Sequence, residues 1–572
     1  MRDLRPNFLL VLLIVSAVSI CPRLMNSTVR AQQQQRSAID TYAITNARVV
    51  TVSGPVIERG TVLIRDGLIA SVGANVNAPA DARIIDGAGL TVYPGLIDAN
   101  TSLAIPRPTP PATPGSEATA APFADFLGPR TPPSAMSPNS TQLPGLQPEI
   151  LAADIIRPGG EQIEAARSAG VTAALTAPRG NVFPGQSALI NLAGDTPQQM
   201  IVATPVALHV GFTPLGTGQY PGSLMGVIAS IRQMLLDAQR YREVNAIYNR
   251  NPRGVRRPGP DKSLAALLPA LARQMPIVVQ AEREREIIRA LDLAQEFNLR
   301  LIIAGGAEAW KVTDRLRALN VPVLLSLNYP RRTTAQLPEA DPDPLRVLRE
   351  RAEAPRTAGK LATAGVAFAF QSGEMTSIAD YLTNAAKAIE NGLARAEALR
   401  AMTLRPAEIL GVADRLGSIE VGKIANLTVT RGDIFARDRH IAHVFIDGRP
   451  VELKVATTPP AAGASGTVNV GGTWSLEVTT GAGGAPQPVS VTLMLQQQGE
   501  RLSGSIQGPL GSNPIANGAL GAGGEVRFTV PVTDATQTNE ATFTGTVTGN
   551  TMRGTMQIVG RPSGSFTGTR PQ

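Results

Sequence analysis

The sequence predicts an α/β protein: a parallel (β/α) barrel, a composite β-sandwich built from both flanks of that barrel, and a separate all-β barrel or sandwich at the C-terminus. Three observations carry this prediction. Short apolar runs alternate with helical stretches through the middle of the chain. Half-sheets with Gly-bearing turns stand on either side of that region, one ending near Gly73 and the other starting near Gly422. From Thr467 onward the composition changes to Gly and Thr, and helix formers thin out.

The chain opens with Arg2 and Arg5, an apolar run from Phe8 to Ile20, and Val29-x-Ala31. These are the three parts of a secretory signal, so residues 1–31 are expected to be a signal peptide cleaved after Ala31. The apolar run is too short to span a bilayer, which takes about 20 residues. Export to the periplasm or the extracellular space is therefore expected, with no stable membrane span after cleavage. Ile20 stands where lipidation of Cys21 would call for a small residue. Cys21 is the only cysteine, and cleavage would leave a mature chain with neither a disulfide nor a thiol nucleophile. At 572 residues, 43% hydrophobic and 17% charged, the chain reads as globular and multidomain. Its net charge of +8 comes from scattered arginines rather than basic blocks, so no nucleic-acid partner is expected.

Residues 40–90 contain "YAITNARVVTVSGPVIERGTVLIRDGLIASVG", which alternates apolar and polar residues around Ser53-Gly54 and Asp66-Gly67. That is the pattern of a small antiparallel sheet. It returns in residues 416–455 around Asp447-Gly448, so the chain is expected to leave a β domain, build something large, and come back to complete it. The large part, residues 91–415, holds "VTAALTA", "PVALHVGF", "PIVVQA", "LRLIIAG", "VPVLLSL" and "VAFAF", continuous apolar runs suited to strands buried on both faces. Helical patterns lie between them, at Leu224 to Tyr248 and at Glu284 to Phe297, the latter with Ile287, Ile288, Leu291, Ala294 and Phe297 on one face. One further helical block is expected from Ile378 to Leu410. A Pro-rich insert, residues 104–148, follows the first barrel strand, where loops form the working face of a barrel. Residues 456–466 read as a linker, and residues 467–572 as seven or eight short strands.

Several separated motifs resemble one family. "VYPGLIDA", "GVTAALTAPRGNVFPGQSALINLAG", "EALRAMTLRPAEILGVADRLGSIEVGKIANL" and "VFIDGRPV" occur in the order seen in the amidohydrolase superfamily, and most closely in its imidazolonepropionase-like members. The resemblance implies a distorted TIM barrel that hydrolyses non-peptide C–N bonds, as in cyclic amides and ureas, at the barrel mouth. It also implies zinc or another divalent metal, which turns water into hydroxide and polarises the scissile carbonyl. The family's ligands are a His-x-His after the first strand, single histidines after later strands, and an aspartate after the last. Here those positions read Asn100-Thr101-Ser102, Gln280, Gly305-Gly306 and Gly373. The whole chain has three histidines, His209, His440 and His443, of which only His209 lies in the barrel.

No metal cofactor is therefore expected, and the chain reads as a family homologue that binds or scaffolds without metal-dependent catalysis. Two alternatives stand beside it. One is a C–N hydrolase with a metal-free or oxygen-ligated site drawn from Asp98, Glu308 and Glu374. The other places the working site in the C-terminal barrel, whose "GGTWSLEV" resembles calycin-like barrels. The pocket is expected at Asn100, Ser102, Gln280, Gly305, Gly306 and Gly373, with Asp98, Asn328 and Ser372 nearby. Its neutral amides and hydroxyls would either hold a small polar ligand or satisfy one another. Glu308 and Lys311, three apart beside Trp310, are either an acid–base pair or a helix-surface ion pair. His209 is expected at a strand end, and Ser187 has no partners spaced for a nucleophilic triad. The sequence leaves open an oligomer and a partner chain that completes the site.

Overall fold

A computed structural model of the chain describes residues 41–106, 142–143, 145–215, 220–331, 343–373, 375, 377–453, 469–479, 488–499, 501–508, 511–521, 524–533, 538–558 and 564–570. The expected signal peptide, the linker 456–466, Glu374 and most of the Pro-rich insert lie outside these residues. Among the described residues no helix is long and apolar enough to cross a membrane. The chain divides into two compact units, Met1–Lys454 and Val455–Gln572.

The first unit starts with β1 (Thr41–Val49), β2 (Ile57–Arg65), β3 (Leu68–Gly73), β4 (Ala82–Asp86) and β5 (Leu90–Pro94). Asp66-Gly67, both at positive φ, turns β2 into β3 as a two-residue hairpin requires. Between β1 and β2 the positive φ falls on Val52 rather than on the expected Ser53-Gly54, and the Thr51 hydroxyl ties the bend by accepting from the Gly54 N–H at 3.1 Å. β1 pairs parallel with β4 and β5, so the leading half-sheet is mixed rather than purely antiparallel.

The barrel follows. Its staves are β6 (Leu96–Thr101), β7 (Val171–Thr176), the short β8 (Gly185–Gln186) and β9 (Ala188–Asn191), β10 (Ile201–Ala203), β11 (Leu208–Gly211), β12 (Ile277–Ala281), β13 (Leu301–Gly305), β14 (Val323–Ser326) and β15 (Phe368–Gln371). Strands β11 to β15 run parallel in one sheet, and β6 pairs parallel with β7 in another. The 185–191 stretch joins the two sheets: β8 pairs antiparallel with β11, and β9 antiparallel with β7. That antiparallel stave is the distortion of the barrel. Strand alternation sends Val278, Ile302, Leu324 and Ala369 to one small cluster with Ala99 and Ala207, the barrel interior. The intervening Ile277, Val279, Ile303, Val323, Leu325, Phe368 and Phe370 meet the helices in the main core. The helix Glu284–Glu296 supplies Ile287, Leu291 and Ala294 to that core, as its spacing predicts. The expected helical block from Ile378 to Leu410 consists of three helices, Asp380–Glu390, Arg395–Met402 and Leu404–Ile409. It breaks at Gly392, whose φ is +105°, and at Thr403.

The chain then returns through β16 (Leu427–Arg431), β17 (His440–Ile446) and β18 (Arg449–Pro450), with Asp447-Gly448 again at positive φ. β16 lies antiparallel on β5, Val429 opposite Val92, and completes one eight-stranded sheet from both flanks. Its core mixes Ile44, Val62 and Ile64 from the first flank with Ile419, Leu427 and Phe445 from the second.

The second unit contains β19 (Gly472–Thr479), β20 (Pro488–Gln498), β21 (Arg501–Gly508), β22 (Gly511–Pro514), β23 (Ala516–Leu520), β24 (Glu525–Thr533), β25 (Thr538–Thr548), β26 (Thr551–Ile558) and β27 (Gly564–Thr569). Eight of these strands close into an antiparallel barrel through the β20–β21 pairing, while β22 hangs on β21. Closure removes the sheet edges that a chain rich in Thr and Gly would otherwise expose. Its lumen is packed with Trp474, Phe528, Phe543, Met552 and Phe566. The Trp474 indole N–H donates to the Val470 carbonyl at 3.0 Å, and the Arg570 guanidinium lies 4.9 Å over its ring. Gly545 and Gly554 face each other across β25 and β26, and a Cβ on either would run into the Phe566 ring. Part of the glycine content is therefore room for an aromatic core.

Candidate functional site

The ladder pairings leave one join of the barrel, between its first strand β6 and its last strand β15, to be made by other bonds. It is made by polar groups. The Asn100 side-chain N–H donates to the Gln371 side-chain carbonyl at 2.6 Å, and Gln371 donates onward to the Leu324 carbonyl at 2.7 Å. The Asn100 carbonyl accepts from the Gly373 N–H at 3.3 Å. Beneath this layer the Asp98 carboxylate accepts from the Ser372 N–H at 2.9 Å, from the Ser372 hydroxyl, and from the Asn100 N–H at 3.4 Å. Asp98 is fully buried. Burial pushes its carboxyl up to about 6, against the pull of the Ser372 and Asn100 donors and the charge of Arg179.

Above the seam opens a cleft of about 1310 Å³, lined among others by Asn100, Arg179, His209, Gln280, Glu282 and Gln371. Arg179 comes from the turn after β7. Gly180 and Asn181, at φ +76° and +70°, reverse the chain there. Its guanidinium donates to the carbonyls of Asn100 and Gly373, each at 3.3 Å, and so clasps both sides of the seam. Its charge is felt by Asp98, His209 and Glu282 alike.

His209 sits near the end of β11, 7% exposed, and its Nε2 has no hydrogen-bond partner among the described residues. Burial, helped by the Arg179 charge, depresses its imidazole to about 3, so the ring is neutral at every physiological pH. Glu282 follows β12 and accepts from the Gln280 side chain at 2.8 Å and from the Ala307 N–H at 3.3 Å. Burial, with the neighbouring Glu286, pushes its carboxyl up to about 7, opposed by the Ala307 and Gln280 donors and by Arg179.

The residues singled out in the sequence fall into four groups. Asn100, Gln280, Asn328, Gly373, Glu308 and Lys311 line the cleft. Asp98 and Ser372 lie buried under it, and Ser102, Gly305 and Gly306 are not among its lining. Glu374 is outside the described residues. Glu308 and Lys311 form an ion pair at 2.6 Å, and Glu308 also accepts from the Glu284 N–H at 2.8 Å. Burial works against ionisation of Glu308, but Lys311 and the Glu284 N–H outweigh it and hold the carboxyl below its ordinary range. Glu308 thereby satisfies the first N–H of the helix Glu284–Glu296 while both partners line the cleft. Ser187 donates to the Ala207 carbonyl at 3.2 Å.

Arg179 and Glu282 were missed by the sequence reading. Glu282 hides in the charged run Glu282-Arg283-Glu284-Arg285-Glu286, which reads as a solvated helix start. The signal that could have found it is Gly305, at φ +98°, because a Cβ there would collide with the Glu282 carboxylate. The glycine thus leaves room for an acid from the neighbouring strand.

The amidohydrolase family profile matches residues 270–451. A stretch of 51 residues is 43% identical to an enamidase of Eubacterium barkeri, covering 9% of this chain and 13% of that protein. Another of 63 residues is 46% identical to a dihydroorotase of Syntrophotalea carbinolica, covering 11% of this chain and 15% of that protein. The matches therefore span about a seventh of these curated relatives' own length. The solved structure of an amidohydrolase from Thermotoga maritima MSB8 superposes with a TM-score of 0.60 at 26% identity, covering 72% of this chain and 100% of that one.

Proposed function

From the premise that the chain belongs to the amidohydrolase superfamily, we propose that its barrel mouth is a metal-independent binding site for a small polar organic molecule bearing an amide. The observation that supports this reading is the polar seam. At the positions where the resemblance places metal ligands stand two amides, a hydroxyl and glycines, and Asn100 and Gln280 spend their side-chain bonds on Gln371 and Glu282. Zinc calls for imidazole, thiolate or carboxylate donors converging on one point. Among the described residues no group of three or more such side chains is placed to hold an ion. Asp98 spends its oxygens on Ser372 and Asn100 below the cleft floor. This donor set does not fit the family's metal.

The test pairs elemental analysis of the purified protein with thermal shifts against a panel of cyclic amides, ureido compounds and dipeptides. Binding from the panel with no stoichiometric transition metal and no turnover is the expected result. About one metal per chain together with chelator-sensitive hydrolysis would overturn it.

Glu282 favours a second reading, a metal-free C–N hydrolase. A carboxyl poised near 7 suits a general base at neutral pH. Its carboxylate would take a proton from the water that adds to the amide carbon, and return it to the departing nitrogen. Turnover from the same panel, abolished in Glu282→Gln with binding retained, would select this reading. Export remains part of the proposal in either case, and the N-terminal sequence of the protein recovered from the periplasm or medium tests it.

A further inference from the structure

The surface of the first unit carries one strongly charged excursion away from the cleft. The helix Leu224–Arg250 buries Val227, Ile231, Met234, Leu235 and Ala238, and none of its residues after Ala238 is buried. The rest of it, residues 239–250, runs on for about 18 Å at 1.5 Å per residue. The loop 251–261 then returns to the helix Lys262–Leu271, and the neck is tied: the Tyr241 hydroxyl accepts from the Asp261 N–H at 3.4 Å, and the Asp261 carboxylate accepts from the Leu264 N–H at 2.9 Å. Residues 240–262 hold six arginines and Lys262 against Glu243 and Asp261, a net +5 set against +8 for the whole chain, so the excess charge is local. All six arginines are exposed, and none of their side chains makes an ion pair or a hydrogen bond among the described residues. Elsewhere exposed arginines spend their charge on acids, Arg232 on Glu296 and Arg315 on Asp292, each at 2.8 Å.

We propose that this excursion is a docking surface for an anionic phospholipid bilayer. A charge cluster alone would serve any polyanion, and the apolar side chains within it decide among them. Ile247 is 56% exposed and Val255 is 38% exposed. Helical spacing puts Arg240, Glu243, Ile247 and Arg250 on one face, so the isoleucine stands between two arginines, and Glu243 pairs with neither among the described residues. Guanidinium groups meet lipid phosphates at the headgroup level, while aliphatic side chains beside them enter the acyl boundary just below. A nucleic-acid strand is met by stacked aromatic rings, and this tip presents aliphatic side chains instead. Pro252, Pro258 and Pro260 restrict the loop, which lowers the conformational entropy lost on docking. The surface shares no residue with the lining of the cleft, so it goes beyond the function proposed above and does not depend on it.

The experiment sediments the full chain with vesicles of phosphatidylcholine alone and of phosphatidylcholine mixed with an equal part of phosphatidylglycerol. The wild type is expected to prefer the anionic vesicles, with a preference that shrinks as salt rises. The quadruple variant Arg250→Gln, Arg253→Gln, Arg256→Gln, Arg257→Gln should lower partition into anionic vesicles by about a hundredfold or more, at about fivefold per arginine. Those four side chains bond nothing in the fold, so the melting temperature should not move. Ile247→Ser should lower anionic partition severalfold at high salt, where the arginine contribution is screened. Every variant keeps the N-terminus, so any membrane affinity of the apolar run from Phe8 to Ile20 cancels in the comparison. Equal partition of the wild type into neutral and anionic vesicles, or anionic partition unchanged in the quadruple variant, overturns the proposal. An Ile247→Ser variant that partitions like the wild type at high salt overturns the lipid assignment in favour of a bare polyanion site. A labelled oligonucleotide bound by the wild type and lost in the quadruple variant, with no preference for anionic vesicles, also overturns it and makes the tip a nucleic-acid contact.

Discussion

Replacing Asp98 with asparagine tests whether a buried carboxylate closes the barrel. The wild-type group has its folded value raised from 3.8 to about 6, so between those values the native state holds a proton that the unfolded chain has released. Stability then falls as pH rises through the window. The contribution is fully present below about pH 4 and is lost as pH passes about 6. The difference amounts to about 3 kcal/mol. Asp98→Asn cannot ionise, so its stability relative to wild type should improve by about 3 kcal/mol between pH 4 and pH 8. Taking the difference between variant and wild type cancels the other titrating groups, Glu282 included. Urea unfolding followed by tryptophan fluorescence measures it, because the chain has two tryptophans, Trp310 in the first unit and Trp474 in the second. A Trp474→Phe background leaves only the first unit's signal. A difference that stays flat across this pH range would refute the idea that Ser372 and Asn100 hold an ionisable carboxyl out of water.

Two further predictions follow from packing. Gly305→Ala places a Cβ on the Glu282 carboxylate at a φ of +98°, so it should destabilise the first unit by about 1 to 3 kcal/mol and displace Glu282 from the cleft. Unchanged urea midpoints would show that the strand end adapts freely. Trp474→Ala empties the centre of the second barrel and removes the bond to Val470 and the contact with Arg570, at a cost of about 3 to 5 kcal/mol. Calorimetry should show the loss in one transition, with the first unit's transition unmoved.

Elements governed by local rules were legible in the sequence. Continuous apolar runs placed β12 to β15, the helical period placed the helix Glu284–Glu296, and two Asp-Gly pairs marked two hairpins. The composite sheet was readable for a similar reason, since each flank carries its own alternation and neither half buries a face alone. What stayed hidden depends on residues far apart in the chain. Asp98 and Ser372, or Asn100 and Gln371, are separated by more than 270 positions, and no period joins them. The antiparallel stave at 185–191 is four residues and two residues long, too short for a pattern to form. Arg179, in "APRGN", carries no local signal, because only the closed ring shows that the turn after β7 reaches both β6 and β15.

The exchange of a metal for a guanidinium would change what the mouth of such a barrel can do. A divalent ion holds strand ends together through their side chains, and it also acidifies water and polarises a carbonyl. A guanidinium supplies the charge and the hydrogen bonds but has no empty orbital and does not bring a water near neutrality, so it can hold the seam without making a nucleophile. The other groups conform to that division. His209 stays neutral, so it adds no second positive charge beside Arg179. Asp98 is spent on Ser372 and Asn100 rather than on the cleft. Burial pushes the Glu282 carboxyl up to about 7, where it can move a proton near neutral pH. If the cleft is a metal-free hydrolase, Glu282 is the group placed to move the proton, and a Glu282→Gln variant that binds as well as the wild type and differs in nothing else would mark the barrel as a receptor.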